Sequence, residues 1–188
     1  MTETPISLLE RLRRPASADD WTRFVKLYTP LLHRWAKRLG LDAEEADDLV
    51  QEVFAVLVRK LPEFRYDPGR RFRGWLWTVM LNKVRENKRR MDAAVATVGE
   101  AALQWQPASD SIGIIDEAEY RQYLTSRALE LMRRDFQPAT WKAFWEHVVE
   151  CRTAPEVARE LKLSVGAVYA AKIRVLARLR AELAGLID

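Results

Sequence analysis

The chain has 188 residues, of which 48% are hydrophobic and 31% charged, and its formal net charge is +4. This composition is typical of a globular protein with one domain or two small ones and argues against disorder throughout. The single cysteine excludes an intramolecular disulfide and a cysteine-based zinc cluster, and two histidines offer little for a metal site. No apolar segment is long enough for a signal peptide or a membrane span. We therefore expect a soluble cytoplasmic protein without a metal or cofactor.

Charge is distributed unevenly along the chain. Residues 42–52 include six acidic residues and no basic one, whereas residues 59–90 include eleven lysines and arginines against three acidic residues. Residues 91–120 again hold six acidic residues and no basic one, and the chain is basic after Lys162. Two basic blocks separated by an acidic connector predict two modules that each contact an anionic polymer.

The first elements in chain order are a leader and a pair of helices. Residues 1–20 form the leader, in which Leu8, Leu9 and Leu12 predict a small amphipathic turn. A helix then runs from Trp21 to near Gly40, and Pro30 inside it predicts a kink or two abutting helices. The next helix should pack against it as an antiparallel hairpin.

That next helix, over residues 42–61, has the clearest periodicity in the sequence. A capping box between Asp42 and Glu45 predicts its start. Its apolar stripe comprises Ala46, Leu49, Val50, Val53, Phe54, Leu57, Val58 and Leu61. The opposite face is acidic and polar, with Asp47, Asp48, Gln51 and Glu52. In isolation this face is either a solvated surface or a docking surface.

A basic, aromatic segment follows over residues 62–73, where Phe64, Tyr66 and Phe72 alternate with arginines. Such a loop can hold unstacked bases, although anchoring aromatics beside solvated arginines are an alternative interpretation. The helix over residues 74–90 should bury Trp75, Leu76 and Val79. It should leave Trp77, Asn82, Lys83, Arg85, Lys88 and Arg89 on or near the other face, where an exposed Trp among cations favours a flat anionic ligand.

The remaining chain predicts a linker and a second helical module. Residues 92–119 lack sustained periodicity and are interpreted as a flexible acidic linker. Within residues 120–188, a second capping box begins at Thr153 and a tight turn at Leu163 and Ser164 precedes a longer helix. This layout predicts a helix-turn-helix, with Val165, Val168 and Val175 facing inward on the second helix.

Residues 24–90 resemble region two of the extracytoplasmic-function sigma factors, a branch of the sigma-70 family of bacterial transcription initiation factors. The most specific segments are ADDLVQEVF, LPEFR and FRGWLWTVMLNKV. The resemblance implies that Asp47, Asp48, Gln51 and Glu52 dock on the clamp of core RNA polymerase. It also implies that the loop and the helix after it recognise and melt the minus-ten element and hold a flipped non-template base. The expected contacts are Phe64, Arg65, Tyr66, Arg70, Arg71, Arg73, Trp77, Asn82, Lys83, Arg85, Lys88 and Arg89.

The segment APEVARELKLSVGAVYAAKIRVLARLR is similar to region four of the same family, which reads the minus-thirty-five element. This chain has Tyr169, Ala170 and Ala171 where the family usually has a Lys-Ser-Arg-like tripeptide, which leaves room for an unusual promoter sequence. The expected DNA contacts are Ser164, Gly166, Tyr169, Ala170, Lys172, Ile173, Arg174 and Arg178.

The sequence thus predicts an all-α protein with two small helical domains: a leader (1–20), region two (21–91), a linker (92–119) and region four (120–188). The predicted function is that of an alternative sigma factor, not an enzyme. Its expected partners are the clamp and flap of core RNA polymerase, promoter duplex and the melted non-template strand, with no membrane. Whether an anti-sigma factor controls it stays open. The rival hypotheses are a helix-turn-helix regulator that binds duplex alone, and an RNA-binding or polymerase-binding regulator.

Overall fold

The computed structural model describes residues 7–14, 17–64, 71–95 and 116–187. Within these ranges the regular structure is helical, apart from an isolated bridge between Ala184 and Ile187. The first module contains α1 (Leu8–Arg13), α2 (Ala18–Arg38), α3 (Ala43–Lys60) and α4 (Phe72–Val95). The second contains α5 (Glu117–Met132), α6 (Pro138–Phe144), α7 (Ala154–Leu161) and α8 (Val165–Leu183). The predicted all-α fold class is confirmed.

Local capping determines where the helices of the first module begin. The backbone N–H of Glu45 donates to Asp42 Oδ1, and that of Asp42 donates to Glu45 Oε2, each at 2.9 Å. This reciprocal pair is the predicted capping box at the start of α3. Gly40, with φ of +84°, makes the turn from α2 into α3, a conformation that an L side chain rarely adopts. Pro30 lies inside a single continuous α2, so the predicted division into two helices does not occur.

The core of the first module is aromatic and lies between α2, α3 and α4. Phe24, Tyr28 and Phe72 are fully buried, and their rings contact one another at centroid distances of 4.6 to 6.2 Å. Burial of each such side chain stabilises the fold by about 1.5–3 kcal/mol. On α3, the prediction that Val58 faces the core is wrong. Val58 is 52% exposed and Val56 packs inward instead.

The second module contains the predicted helix-turn-helix. Lys162 ends α7 in a left-handed conformation, and the N–H of Leu163 donates to the carbonyl of Ala158 at 2.8 Å. Ser164 then caps α8 by accepting from the N–H of Ala167 at 3.1 Å. Val165 was expected to face inward but is 39% exposed, because it occupies the first helical position beyond the turn. A π-helical turn, Trp145–Val149, follows α6.

The two modules share one buried cluster, which the sequence did not predict. Tyr120 and Leu124 of α5, together with Leu183 and Leu186, belong to the same cluster as the buried side chains of α1 to α4. Helix α4 continues to Val95, and α5 already begins at Glu117. Residues 96–115 lie outside the described residues, so the flexible linker stays a prediction. Across the described ranges, no helix has the length and apolarity needed to cross a membrane.

Candidate partner-binding and nucleic-acid surfaces

The acidic face of α3 presents three of its four predicted docking residues to solvent. Asp47, Asp48 and Gln51 are exposed, and the Asp47 side chain lies 3.5 Å from His33 Nε2. Glu52 is half-buried instead, because its carboxylate accepts a hydrogen bond from Asn87 Nδ2 of α4 at 2.7 Å. The structure therefore gives this face a charged, accessible centre, whereas Glu52 is held against the neighbouring helix.

The start of the aromatic loop is anchored in the core. Phe64 is only 7% exposed, and its ring lies 4.7 Å from that of Trp75 and 5.6 Å from that of Phe72. In this conformation Phe64 therefore anchors the loop in the core, which is the alternative interpretation of this segment. Arg65, Tyr66 and Arg70 lie outside the described residues. Their predicted contacts with a flipped base stay predictions.

The expectation that Trp77 is exposed is wrong. Trp77 is 7% exposed and meets Trp35 of α2 edge-on, with ring centroids 5.4 Å apart. It extends the apolar stripe that Leu76, Met80 and Val84 form on α4, since positions 76, 77, 80 and 84 share one side of a helix. In this conformation the ring cannot stack on a base.

The cationic side of α4 is partly neutralised by one carboxylate. Glu86 accepts from Lys83 Nζ at 2.7 Å and from Arg90 Nη2 at 2.5 Å. The hydrogen bond from Lys83 outweighs desolvation and, with the charge of Arg90, lowers the pKa of Glu86. Asn82 and Arg89 are exposed, whereas Lys83, Arg85 and Lys88 are half-buried. Basic residues remain in excess on this side, as a phosphate-binding surface requires.

The predicted recognition helix α8 exposes most of its expected DNA contacts. Ser164, Gly166, Tyr169, Ala170, Ile173 and Arg174 are exposed, and Lys172 is half-buried. The Tyr169 ring meets His147 edge-on with centroids 5.5 Å apart, which orients it beside the turn. Arg178 Nη2 lies 3.5 Å from a carboxylate oxygen of Glu182, one helical turn further along the same helix. The N-terminal half of α8 thus forms an accessible face that combines apolar, aromatic and cationic groups.

The sequence is similar to those of known proteins. Residues 24–93 match the family Sigma-70 region 2. RNA polymerase sigma factor CnrH of Cupriavidus metallidurans is 29% identical over 158 residues, which cover 81% of this chain and 78% of CnrH. RNA polymerase sigma factor NccH of Alcaligenes xylosoxydans xylosoxydans is 32% identical over 79 residues, or 41% of each chain. A solved structure of CnrH in complex with the cytosolic domain of CnrY shares 23% identity, with 93% of each chain covered and a TM-score of 0.37.

The chain therefore contains a Sigma-70 region 2 domain, and the relatives that it resembles are RNA polymerase sigma factors. Its matched region 2 begins in α2 and ends within α4, so that it includes both the acidic face of α3 and the cationic side of α4. Sigma factors as a class are initiation factors rather than enzymes. Among the described residues of this chain, no group of three or more His, Cys, Asp or Glu side chains is arranged to hold a metal ion.

The sequence patterns did not predict a second set of cations, which lies on α2. Arg34 and Arg38 of α2 both bind Glu119 of α5 at 3.0 Å, and their hydrogen bonds lower the pKa of Glu119. Because Arg34 and Arg38 are four residues apart, the sequence could have indicated that they lie on one face of α2 and can share an acceptor. Their acceptor is about eighty residues away in the chain, however, and local periodicity carries no information on that pairing.

Proposed function

We propose that this chain is an alternative sigma factor of the extracytoplasmic-function branch. It would recruit core RNA polymerase through the acidic face of α3 and direct it to promoters through α8 and through the loop and helix α4 of region two. The observation that carries the proposal is the region 2 match over residues 24–93, which encloses both an exposed acidic face and a cationic one. An acidic face on α3 and a cationic side on α4 suit a protein that bridges a protein partner and nucleic acid.

The docking step rests on Asp47, Asp48 and Gln51. Their exposure leaves the carboxylates ready to pair with cations on the clamp of core polymerase, and complementary charge speeds encounter and fixes orientation. The flap of the polymerase is the proposed contact for the second module. A cytoplasmic location follows from this role, because core polymerase works there.

The promoter steps divide between the two modules. We assign the minus-thirty-five element to the exposed N-terminal half of α8, where Arg174 can contact a base or a phosphate. We assign the minus-ten element to the loop 65–71 and to Asn82, Lys83 and Arg89 of α4. Unstacking a base costs a few kcal/mol, and stacking on aromatic rings together with phosphate neutralisation offsets that cost. Control by an anti-sigma factor is a further proposal.

Run-off transcription with purified bacterial core polymerase tests this function. We expect defined transcripts from a subset of promoters in a genomic library only when the chain is added. Tight, specific duplex binding by the chain alone, without initiation by active core, would favour a helix-turn-helix regulator instead. Binding to core without initiation would favour a polymerase-binding regulator.

A further inference from the structure

One exposed side of α8 is almost entirely apolar. At 100° per residue, positions 166, 169, 170, 173 and 177 fall within an arc of about 100°. The apolar face of α8 is formed by these exposed residues, Gly166, Tyr169, Ala170, Ile173 and Ala177. Ile173 is 68% exposed, more than any other exposed large hydrophobic residue in the described ranges, and Tyr169 is 48% exposed. Apart from the Tyr169 hydroxyl, no side chain of this face can donate or accept a hydrogen bond.

Cations border the apolar face of α8. Arg174 is exposed on one side of it, and Lys172 is half-buried on the other. Among the described residues, neither of these two side chains forms an ion pair, whereas Arg178 lies close to Glu182. The segment 165–181 contains no acidic residue. A ligand that fits this surface is therefore apolar where it meets the middle of the face and anionic on both sides.

The major groove of duplex DNA offers this arrangement at A·T pairs. The groove is about 12 Å wide, admits an α-helix and lies between two lines of phosphates. Its base edges carry hydrogen-bond donors and acceptors, and each thymine adds a C5-methyl group. The side chains of Ala170 and Ile173 cannot pair with the donors and acceptors. They can contact a methyl group, and such a contact removes apolar surface of both partners from water.

The aromatic member of the apolar face is held in place by the neighbouring turn. The Tyr169 ring packs on His147, whose Nδ1 lies 2.8 Å from the carbonyl oxygen of Arg152. The guanidinium of Arg152 pairs with Glu146 at 2.6 Å and with Glu160 of α7 at 2.7 Å. These contacts connect the π-helical turn to the helix-turn-helix. The Tyr169 ring is therefore ordered before DNA binds, which lowers the entropic cost of a contact.

We propose that the apolar face of α8 recognises thymine methyl groups in the minus-thirty-five element. This element then contains A·T pairs where Ala170 and Ile173 meet the base edges, while the bordering cations attract the phosphates. The inference rests on the proposed function, because it assigns a base chemistry to the helix that contacts this element.

Replacement of thymine by deoxyuridine tests the contact. The probe is a promoter duplex identified by run-off transcription, and it is bound by the chain in complex with core polymerase. In a second duplex, deoxyuridine replaces the thymines of the minus-thirty-five element, which removes the methyl groups and keeps the base pairs. Fluorescence anisotropy at a fixed salt concentration should show binding about four-fold weaker for each contacted methyl group, the ratio that corresponds to about 0.8 kcal/mol. The same replacement between the two promoter elements should leave the affinity unchanged.

Ile173→Ala tests whether α8 makes the contact. Because Ile173 is exposed, circular dichroism should show an intact fold. We expect this variant to bind the thymine duplex more weakly than the wild type does, and to discriminate less between the thymine and deoxyuridine duplexes. Val149→Ala is the matched control, since it shortens a side chain that is 44% exposed on the π-helical turn. It should keep the discrimination of the wild type.

Four outcomes would overturn the inference. Equal affinity of the wild-type complex for both duplexes, or a minus-thirty-five element without A·T pairs, would exclude the thymine contact while initiation by the chain still stands. Undiminished discrimination by Ile173→Ala would exclude the apolar face of α8 as its source, and weaker binding of this variant to core polymerase would then indicate a protein-docking face. If the chain does not initiate transcription, the proposed function fails, and the thymine contact fails with it.

Discussion

Removal of the Tyr120 hydroxyl should destabilise the protein more than removal of the Tyr28 hydroxyl, although the two share one hydrogen bond. Their oxygens lie 2.9 Å apart in the core between the modules. Tyr120 also donates to the carbonyl of Leu186 at 3.0 Å. Since Tyr120 has a single hydroxyl proton and gives it to Leu186, Tyr28 must be the donor within the pair.

The two substitutions therefore leave different groups unsatisfied. Tyr28→Phe removes the hydroxyl that donates to the Tyr120 oxygen, whereas the Tyr120 hydroxyl still donates to the carbonyl of Leu186. The loss should cost about 0.5–1.5 kcal/mol. Tyr120→Phe leaves the buried Tyr28 hydroxyl without its acceptor and the Leu186 carbonyl without this donor. Each unsatisfied buried group costs about 1–3 kcal/mol, so Tyr120→Phe should cost about 2 kcal/mol or more.

Urea unfolding followed by circular dichroism measures this difference. At an unchanged denaturant slope, the shift in midpoint gives the change in the free energy of unfolding. Tyr169→Phe is the control, because its exposed hydroxyl should matter by no more than about 0.5 kcal/mol. Equal costs for the two core variants, or a greater cost for Tyr28→Phe, would refute the inferred donor direction.

Three further outcomes follow from the described residues. Burial, and then the neighbouring Tyr120, raises the pKa of Tyr28 well above 10.0, so the protonated form is favoured in the folded state. The contribution of Tyr28 to the free energy of unfolding should be constant below pH 10 and decrease as the pH rises further. Urea unfolding at alkaline pH measures this decrease, which should be smaller for Tyr28→Phe than for the wild type. Asp48→Arg should weaken co-purification with core polymerase while the circular dichroism spectrum stays unchanged, and equal retention would argue against docking by α3. Arg174→Ala should reduce promoter affinity by about 1–3 kcal/mol if the side chain contacts a base, or lower the salt slope by about one if it contacts phosphate, whereas no change in either would place it on a solvated face.

Features that depend on nearby residues could be predicted from the sequence. The capping box of α3 needs only Asp42 and Glu45, which are three residues apart, and the helix-turn-helix needs only a cap, a turn and two short periodic segments. The acidic face of α3 was equally accessible to this reasoning, because periodicity separates it from the apolar stripe. The roles of these faces came from the resemblance to region two, because periodicity indicates which residues are exposed but not what they bind.

Features that depend on distant partners could not be predicted. Trp77 has cations nearby in sequence, and only its packing on Trp35 of another helix shows that it is buried. The ion pairs of Glu182 with Arg11 and Arg23 join positions more than 150 residues apart, and a carboxylate late in a basic helix gives no sign of burial. The sequence therefore predicted residues on the exposed surfaces better than it predicted the contacts between the two modules.

The central claim is that this chain directs initiation by core polymerase, and mapping of transcript 5′ ends tests it most directly. Purified core and genomic DNA fragments are incubated with the wild-type chain, with Asp48→Arg, or with no added factor. We predict defined start sites with the wild-type chain, far fewer with Asp48→Arg, and none without a factor, with a shared pair of sequence elements upstream of each site. The same start sites with and without the wild-type chain, from active core and folded protein, would contradict the account.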